Sequence, residues 1–156
     1  MKDLEKDVHF DLIAPCQKMT ARKPLFQMLA QQASAHLRLP EQTIFQRLVD
    51  KDTSTGSGIG GGVAIEHLKM HRARRPFTAL VTLENPVDFD AVDNIPVDIV
   101  CLVLSPESDG PYHLRRLSRV SRLLKNEALC EKLRTAQSAS EIEALLLDPG
   151  EWLLAA

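Results

Sequence analysis

Apolar residues recur at helical spacing in two segments of the first third of the chain. One segment contains Leu25, Met28, Leu29 and Ala33, and the next contains Ile44, Phe45, Leu48 and Val49. Positions three and four residues apart share one face of a helix, so each segment predicts an amphipathic helix. Pro24 and Pro40 stand near the predicted starts, where proline is tolerated best.

The middle of the chain changes to a strand pattern. Residues 63–65 form a short apolar run, residues 77–83 alternate, and residues 97–104 are apolar almost without interruption. A continuous run of that kind is typical of a central strand that is buried on both faces. This region therefore predicts the strands of a sheet.

Helix signals return in the last third. Pro111 suits the first turn of a helix, Asn126 is a candidate N-cap, and Ser138 with Glu141 has capping-box spacing. Helices on both sides of a strand-rich centre favour an α/β fold, a three-layer-like sandwich with a central mixed β-sheet flanked by helices. We expect residues 1–156 to form a single domain, with residues 148–156 as a tail.

Composition and charge narrow the class of protein. Nineteen basic and 21 acidic residues give a net charge of −2, which provides no overall attraction to nucleic acid or to an anionic membrane. The first seven residues do not resemble a secretory signal, and no apolar run is long enough to span a bilayer. We therefore expect a cytoplasmic protein that binds no nucleic acid and does not insert into a membrane. The three cysteines, odd in number and widely spaced, predict reduced packing residues.

A glycine-rich segment precedes a histidine near the centre of the chain. Five of residues 56–62 are glycine, and a short apolar run connects them to His67. Glycine lets the backbone turn several N–H groups toward one point, which creates a hollow that binds phosphate. The order predicts an anion cradle beside a nucleophilic imidazole. The segment also fits G-x-G-x-x-G, but a dinucleotide site needs a strand before it and a helix after it, and neither is predicted here.

The same segment carries a resemblance to a known family. The run Gly-Ile-Gly-Gly-Gly-Val-Ala-Ile-Glu-His at residues 58–67 resembles the Gly-Ile-Gly-x-Gly-Ile-Ala-Ile-Pro-His signature of IIA proteins of the bacterial phosphotransferase system. Residues 93–106 resemble the family's Pro-Val-Asp strand, and residues 112–118 its second-histidine helix. The match covers about residues 8–147 and is most similar to the nitrogen-regulatory branch, which is related to the mannitol and fructose IIA domains.

The resemblance implies the mannitol/fructose-type IIA fold and a phosphohistidine carrier. His67 would accept a phosphoryl group from an HPr-like phosphocarrier protein, and His113 would lie beside it to orient the ring or to bind phosphoryl oxygens. The expected phosphate-binding donors are the hydroxyls of Ser54, Thr55 and Ser57 and the backbone N–H groups of Gly58, Gly60, Gly61 and Gly62. The phosphorylation state would regulate target proteins such as kinases or transporters. We expect no cofactor and no metal.

Three residues depart from the family pattern. Glu66 replaces the proline before the histidine, Leu68 replaces a small residue after it, and Lys51 stands where the family has an arginine. Strand alternation predicts that Glu66 faces away from the pocket of His67, so we expect weakened acceptor chemistry and not a dead site. Lys51 keeps the charge but not the two-point contact of arginine. We expect Lys51, Glu66, Leu68 and Lys69 to modulate the site or to contact a partner.

Other interpretations stay open. The chain could be a binding module that kept the IIA fold and lost phosphotransfer, or a sugar-specific IIA component that serves a separate permease. A metal shared by His67 and His71 is less favoured, since the residues between them lead out of a strand into a basic turn. The basic run at residues 72–75 is usually a solvated face, although it could recruit an acidic partner.

Overall fold

The computed structural model describes residues 8–55 and 58–147, which form five strands and five α-helices. The strands are β1 (Leu12–Gln17), β2 (Gly58–Gly60), β3 (Val63–Met70), β4 (Phe77–Val87) and β5 (Val97–Pro106). The helices are α1 (Arg22–Leu37), α2 (Glu41–Thr55), α3 (Pro111–Leu124), α4 (Glu127–Thr135) and α5 (Ala139–Leu146). The expected tail at residues 148–156 lies outside the described residues.

The strands form one mixed sheet in the order β1-β4-β5-β3-β2. The pairs β1–β4 and β3–β5 are parallel, whereas β4–β5 and β2–β3 are antiparallel. Two apolar cores cover its faces, one against α1 and α2 and the other against α3, α4 and α5. The predicted three-layer arrangement with a central mixed sheet is confirmed.

The central strand β5 explains the uninterrupted apolar run. Leu102 and Leu104 belong to the core against α1 and α2, whereas Cys101 and Val103 belong to the core against α3–α5. Since successive side chains of a strand point to opposite faces, a strand covered on both faces is apolar at every position.

The predicted helix starts are confirmed at their caps. Pro111 is the first residue of α3. The Asn126 side chain accepts the Leu129 N–H at 3.2 Å, and the Ser138 hydroxyl accepts the Glu141 N–H at 3.2 Å. Both bonds satisfy N–H groups that have no partner inside the first turn of a helix.

The strands also define two ends of the sheet. Because β3 and β5 are parallel, their first residues lie together at one end, which also holds the turn at Gly61 and Gly62. We call this the hairpin end. Met70 and Pro106 pair at the other end, which we call the histidine end because His67 and His113 lie toward it. Within the described ranges, no helix is both long and apolar enough to cross a membrane.

Candidate functional site

Two histidine rings meet near the histidine end. His67 lies on β3 opposite Val103 of β5, and alternation from Val63 and Ile65 directs its side chain to the face covered by α3. His113, the third residue of α3, is 5% exposed. His113 Nε2 lies 3.3 Å from His67 Nδ1, and the ring centroids are 5.5 Å apart. A strand and the first turn of a helix therefore bring the two rings together across 46 residues of sequence.

A polar chain behind His113 fixes its ring. His113 Nδ1 lies 2.7 Å from the hydroxyl of Ser105, which also accepts a hydrogen bond from Arg116 at 2.8 Å. The Arg116 guanidinium is in turn paired with Asp109. Since Arg116 can only donate, the Ser105 hydroxyl hydrogen is available to His113 Nδ1, and in that arrangement the proton of the neutral ring lies on Nε2. In this tautomer the Nε2–H points toward His67 Nδ1.

Lys51 reaches the same ring from the other helical layer. Its Nζ lies 3.0 Å from His67 Nδ1. The short strand β2 pairs with β3 only as far as Ala64, so in the described part of the chain the edge of β3 beyond Ala64 has no neighbouring strand. Side chains of α2 occupy this edge, because Arg47 also donates to the Lys69 carbonyl at 3.1 Å. Since an ammonium has no acceptor, the contact with Lys51 is favourable when Nδ1 carries a lone pair.

Burial and neighbouring cations keep both imidazoles neutral. Burial is the largest cause that lowers the pKa of His67, followed by the charges of Lys51 and Lys69. Burial, the neighbouring His67 and nearby cations lower the pKa of His113 to about 4. At neutral pH His67 therefore retains the lone pair that a nucleophile requires.

Glu66 and Leu68 lie on the opposite face of β3. Leu68 is 2% exposed and belongs to the core against α1 and α2, so the expectation of a partner contact is wrong for Leu68. Alternation places Glu66 on this same face, with 1% of its surface exposed. The negative charge of Glu66 acts on Lys51. Burial lowers the pKa of the Lys51 ammonium, and the Glu66 carboxylate raises it in the opposite direction.

The turn at Gly60, Gly61 and Gly62 lies too far from His67 to hold a phosphoryl group on that ring, so the phosphate-binding role predicted for these three glycines is wrong. His67 is five residues beyond Gly62 on an extended strand, which corresponds to about 16 Å. In addition, the Gly61 N–H donates to Asp93 at 2.8 Å. Gly58 pairs with Ala64 as part of β2.

The glycines instead build the turn at the hairpin end. Gly60, Gly61 and Gly62 all have positive φ, which other residues adopt at a cost. Arg134 donates to the Gly61 carbonyl at 2.6 Å and to both Asp98 carboxylate oxygens at 2.9 Å. A cleft of about 710 Å³ opens beside this turn and not beside the histidines.

The predicted hydroxyl donors cannot be placed. Ser57 lies outside the described residues, and the side chains of Ser54 and Thr55 at the end of α2 are outside them as well. Their role stays a prediction. Lys69, two residues after His67, is exposed, and its positive charge lowers the pKa of both His67 and His113.

Sequence reasoning missed Ser105 and Arg116. Ser105 ends the apolar run of β5, where a buried hydroxyl requires a hydrogen-bond partner. Arg116 follows His113 by three residues on α3, a spacing that puts both on one face of the helix. Those two signals were available, but only the packing of α3 against β5 shows that Ser105 contacts His113 and that Arg116 contacts Ser105.

Comparisons with known proteins agree on one family. Residues 8–148 match the family model described as phosphoenolpyruvate-dependent sugar phosphotransferase system, EIIA 2. A nitrogen regulatory protein of Bradyrhizobium diazoefficiens is 34% identical over 139 residues, which are 89% of this chain and 91% of that protein. A nitrogen regulatory protein of Escherichia coli is 34% identical over 129 residues, 82% of this chain and 79% of that protein.

Solved structures agree with the fold. The nitrogen regulatory protein IIA-Ntr of Neisseria meningitidis has a TM-score of 0.81 and 27% identity, and the match covers 86% of this chain and 92% of that one. The mannitol IIA of Escherichia coli, at 16% identity and a TM-score of 0.73, covers 86% of this chain and 94% of that one. At that identity the second match supports the fold alone.

Proposed function

We propose, from the premise that the chain belongs to the EIIA 2 family of the phosphoenolpyruvate-dependent sugar phosphotransferase system, that it is a nitrogen-regulatory phosphohistidine carrier. His67 accepts a phosphoryl group from the phosphohistidine of an HPr-like carrier. The phosphorylated and free forms then act differently on partner proteins such as kinases or transporters in the cytoplasm. The single observation that carries the proposal is the pair His67 and His113, with Lys51 at the same ring nitrogen.

The proposed transfer leaves the number of protons bound to the donor and acceptor imidazole rings unchanged. The lone pair of neutral His67 attacks phosphorus while the P–N bond to the donor imidazole breaks, and that imidazole leaves as the neutral ring. Each ring keeps the proton on its other nitrogen. The chain's contribution is to hold the acceptor neutral and aligned, and to offer positive groups to the phosphoryl oxygens.

Lys51 and His113 are the groups proposed to hold those oxygens. Both lie within 3.3 Å of His67 Nδ1, so small rotations direct their N–H groups to a phosphoryl group on the ring. Hydrogen bonds to a charged acceptor contribute about 1.5–3 kcal/mol each. The hydroxyls of Ser54, Thr55 and Ser57 are further proposed donors.

The departures from the family pattern do not block this chemistry. Leu68 fills a core on the other face of β3, and Glu66 is buried on that face with its charge acting on Lys51. Lys51, the third departure, itself contacts His67. These placements favour an active acceptor over a fold that has lost phosphotransfer.

The test is phosphorylation by a reconstituted chain of donors. The protein is incubated with phosphoenolpyruvate, the general phosphotransferase enzyme and an HPr-like carrier, and the acid-labile, alkali-stable adduct is quantified. We expect the adduct in the unchanged protein and its loss in His67→Ala. His71→Ala is the matched control, because His71 is exposed at the same end and its Nδ1 lies 3.3 Å from Glu107.

Two results would change the proposal. No adduct on the unchanged protein, despite a phosphorylated donor, would favour the binding module that acts by contact alone. Rapid onward transfer to a sugar permease domain would favour the sugar-specific component.

A further inference from the structure

One arginine joins three separate segments beside the end of α2. Arg22, the first residue of α1, donates from Nη1 to Asp52 Oδ2 at 3.0 Å and from Nη2 to Asp90 Oδ2 at 3.1 Å. Its guanidinium carbon lies 5.8 Å from the centre of the Phe89 ring, which is within the range of a cation–π contact. Asp52 belongs to α2, whereas Phe89 and Asp90 belong to the loop between β4 and β5. The start of α1 is therefore tied both to the end of α2 and to this loop.

Asp52 depends on this arginine more than Asp90 does. The side chain of Asp52 is 13% exposed, whereas that of Asp90 is 76% exposed. Within the described part of the chain, the second carboxylate oxygen of Asp52, Oδ1, is buried and has no hydrogen-bond partner. A buried carboxylate that loses its cation has to gain water instead, because an unpaired charge is strongly disfavoured inside a protein. Without Arg22, Asp52 should therefore turn toward solvent and shift the end of α2 with it.

The residue before Asp52 on α2 is Lys51, whose Nζ lies 3.0 Å from His67 Nδ1. Consecutive residues of a helix differ by about 100° in direction, so one can face His67 while the next faces α1. Their backbones move together, however, because they are only about 1.5 Å apart along the helix axis. A shift of about 1 Å in this part of α2 would stretch the contact between Lys51 and His67 beyond hydrogen-bond range. The anchor at Asp52 therefore bears directly on the contact at Lys51.

We propose that Arg22 and Asp52 are positioning residues for phosphoryl transfer, because their ion pair holds the end of α2 where Lys51 reaches His67. The inference rests on the proposed function and adds two residues from outside the histidine site. The ion pair acts through Lys51 and not through a contact with the phosphoryl group. Its effect on the reaction should therefore vanish in a protein that has no lysine at position 51.

The experiment is a double-mutant cycle between Arg22 and Lys51. The unchanged protein, Arg22→Gln, Lys51→Met and the double variant are phosphorylated at a saturating concentration of the HPr-like carrier, and the single-turnover rate at His67 is measured. Asp90→Asn is the matched control, since it removes the exposed partner of the same guanidinium. Arg22→Lys keeps a cation beside Asp52 and tests for rescue. Asp52→Asn breaks the same ion pair without leaving a buried charge, and it replaces Arg22→Gln in the cycle if that variant does not fold.

Arg22→Gln should lower the rate by about threefold to tenfold when Lys51 is present, and by less than about twofold in the Lys51→Met protein. Asp90→Asn should leave the rate unchanged, and Arg22→Lys should recover most of it. The nitrogen NMR shift of His67 Nδ1 in Arg22→Gln should move toward its value in Lys51→Met, which a loss of stability alone would not produce.

Equal fold-losses with and without Lys51, or an unchanged rate and nitrogen shift in Arg22→Gln, would overturn the inference while leaving His67 as the acceptor. No adduct on the unchanged protein, despite a phosphorylated carrier, would overturn the proposed function and this inference with it.

Discussion

Lys51 Nζ lies 3.0 Å from His67 Nδ1, although the two residues belong to different layers of the fold. The contact exists because β2 is short and leaves the edge of β3 to α2. It puts a cation beside a neutral imidazole, where a transferred phosphoryl group would need one.

Removal of that cation should slow phosphoryl transfer. We expect Lys51→Met to lower the rate at which His67 is phosphorylated by about tenfold to a hundredfold, since it removes one hydrogen bond to a charged group. Lys51→Arg should keep most of the rate. Rapid-quench assays measure both, with thermal unfolding to show that each variant is folded. A Lys51→Met rate equal to that of the unchanged protein would contradict the role of the cation.

The charge of Glu66 should extend the pH range over which Lys51 stays protonated. The carboxylate raises the pKa of Lys51 against the effect of burial, so Glu66→Gln should lower that pKa further. As the pH is raised, phosphorylation of the Glu66→Gln protein should then fall at a lower pH than that of the unchanged protein, with similar rates where Lys51 is protonated in both. NMR titration of the Lys51 side chain checks the cause, and an unaltered Lys51 pKa would contradict it.

His113 should make folding sensitive to acid. Its pKa is lowered to about 4 from 6.5, so between these values the unfolded chain binds more protons than the folded one. The free energy of unfolding should therefore fall as the pH is lowered from about 6.5 toward 4, by an amount on the order of a few kcal/mol. His67 contributes with the same sign, since its pKa is also lowered.

Urea unfolding at a series of pH values measures this dependence. His113→Gln should show a smaller slope between pH 6.5 and 4 than the unchanged protein. Identical slopes would show that His113 titrates alike in both states.

Much of the fold was predictable because its signals are local. The run of β5 reports burial on both faces, and Asn126 and Ser138 cap their helices with their own side chains. Strands β1 and β2 were not predicted: β1 contains Pro15 and an irregular register, and two of the three residues of β2 are glycine. Both strands depend on the neighbours with which they pair.

The predicted phosphate-binding role of the glycines is wrong because β3 is longer than the sequence indicated. The sequence favoured a strand of residues 63–65, whereas β3 runs for eight residues, from Val63 to Met70. Each extra residue moves His67 about 3.3 Å farther from the turn. The polar chain through Ser105 could not be predicted, because it joins residues from a strand and a helix that only the tertiary fold brings together.

Gly62→Ala should separate the structural role of the turn from chemistry at His67. Gly62 has a φ of +79°, and an added Cβ would lie 2.7 Å from the Arg134 guanidinium. We expect a loss of stability of about 1–2 kcal/mol in urea unfolding. The rate at which phosphoramidate, a small phosphoryl donor that needs no docking, modifies His67 should be unchanged. A large drop in that rate in the folded variant would instead support the predicted phosphate-binding role of the glycines.

Ser105→Ala should disturb the orientation of His113. The change removes the partner of His113 Nδ1, and we expect a drop in phosphorylation rate of about threefold to tenfold. Nitrogen NMR shifts should show a changed tautomer balance at His113, which a loss of packing alone would not produce. Ser105→Thr keeps the hydroxyl and should restore the balance.

The most direct test of the account is the location of the phosphoryl group after reaction with the HPr-like donor. Trypsin cleaves after Lys51 and Lys69 and releases residues 52–69, which contain His67 as their sole histidine. Tandem mass spectrometry at neutral to alkaline pH should find the added phosphoryl group on this peptide. A phosphoryl group on the peptide that carries His113, or on neither peptide, would contradict the assignment of His67 as the acceptor.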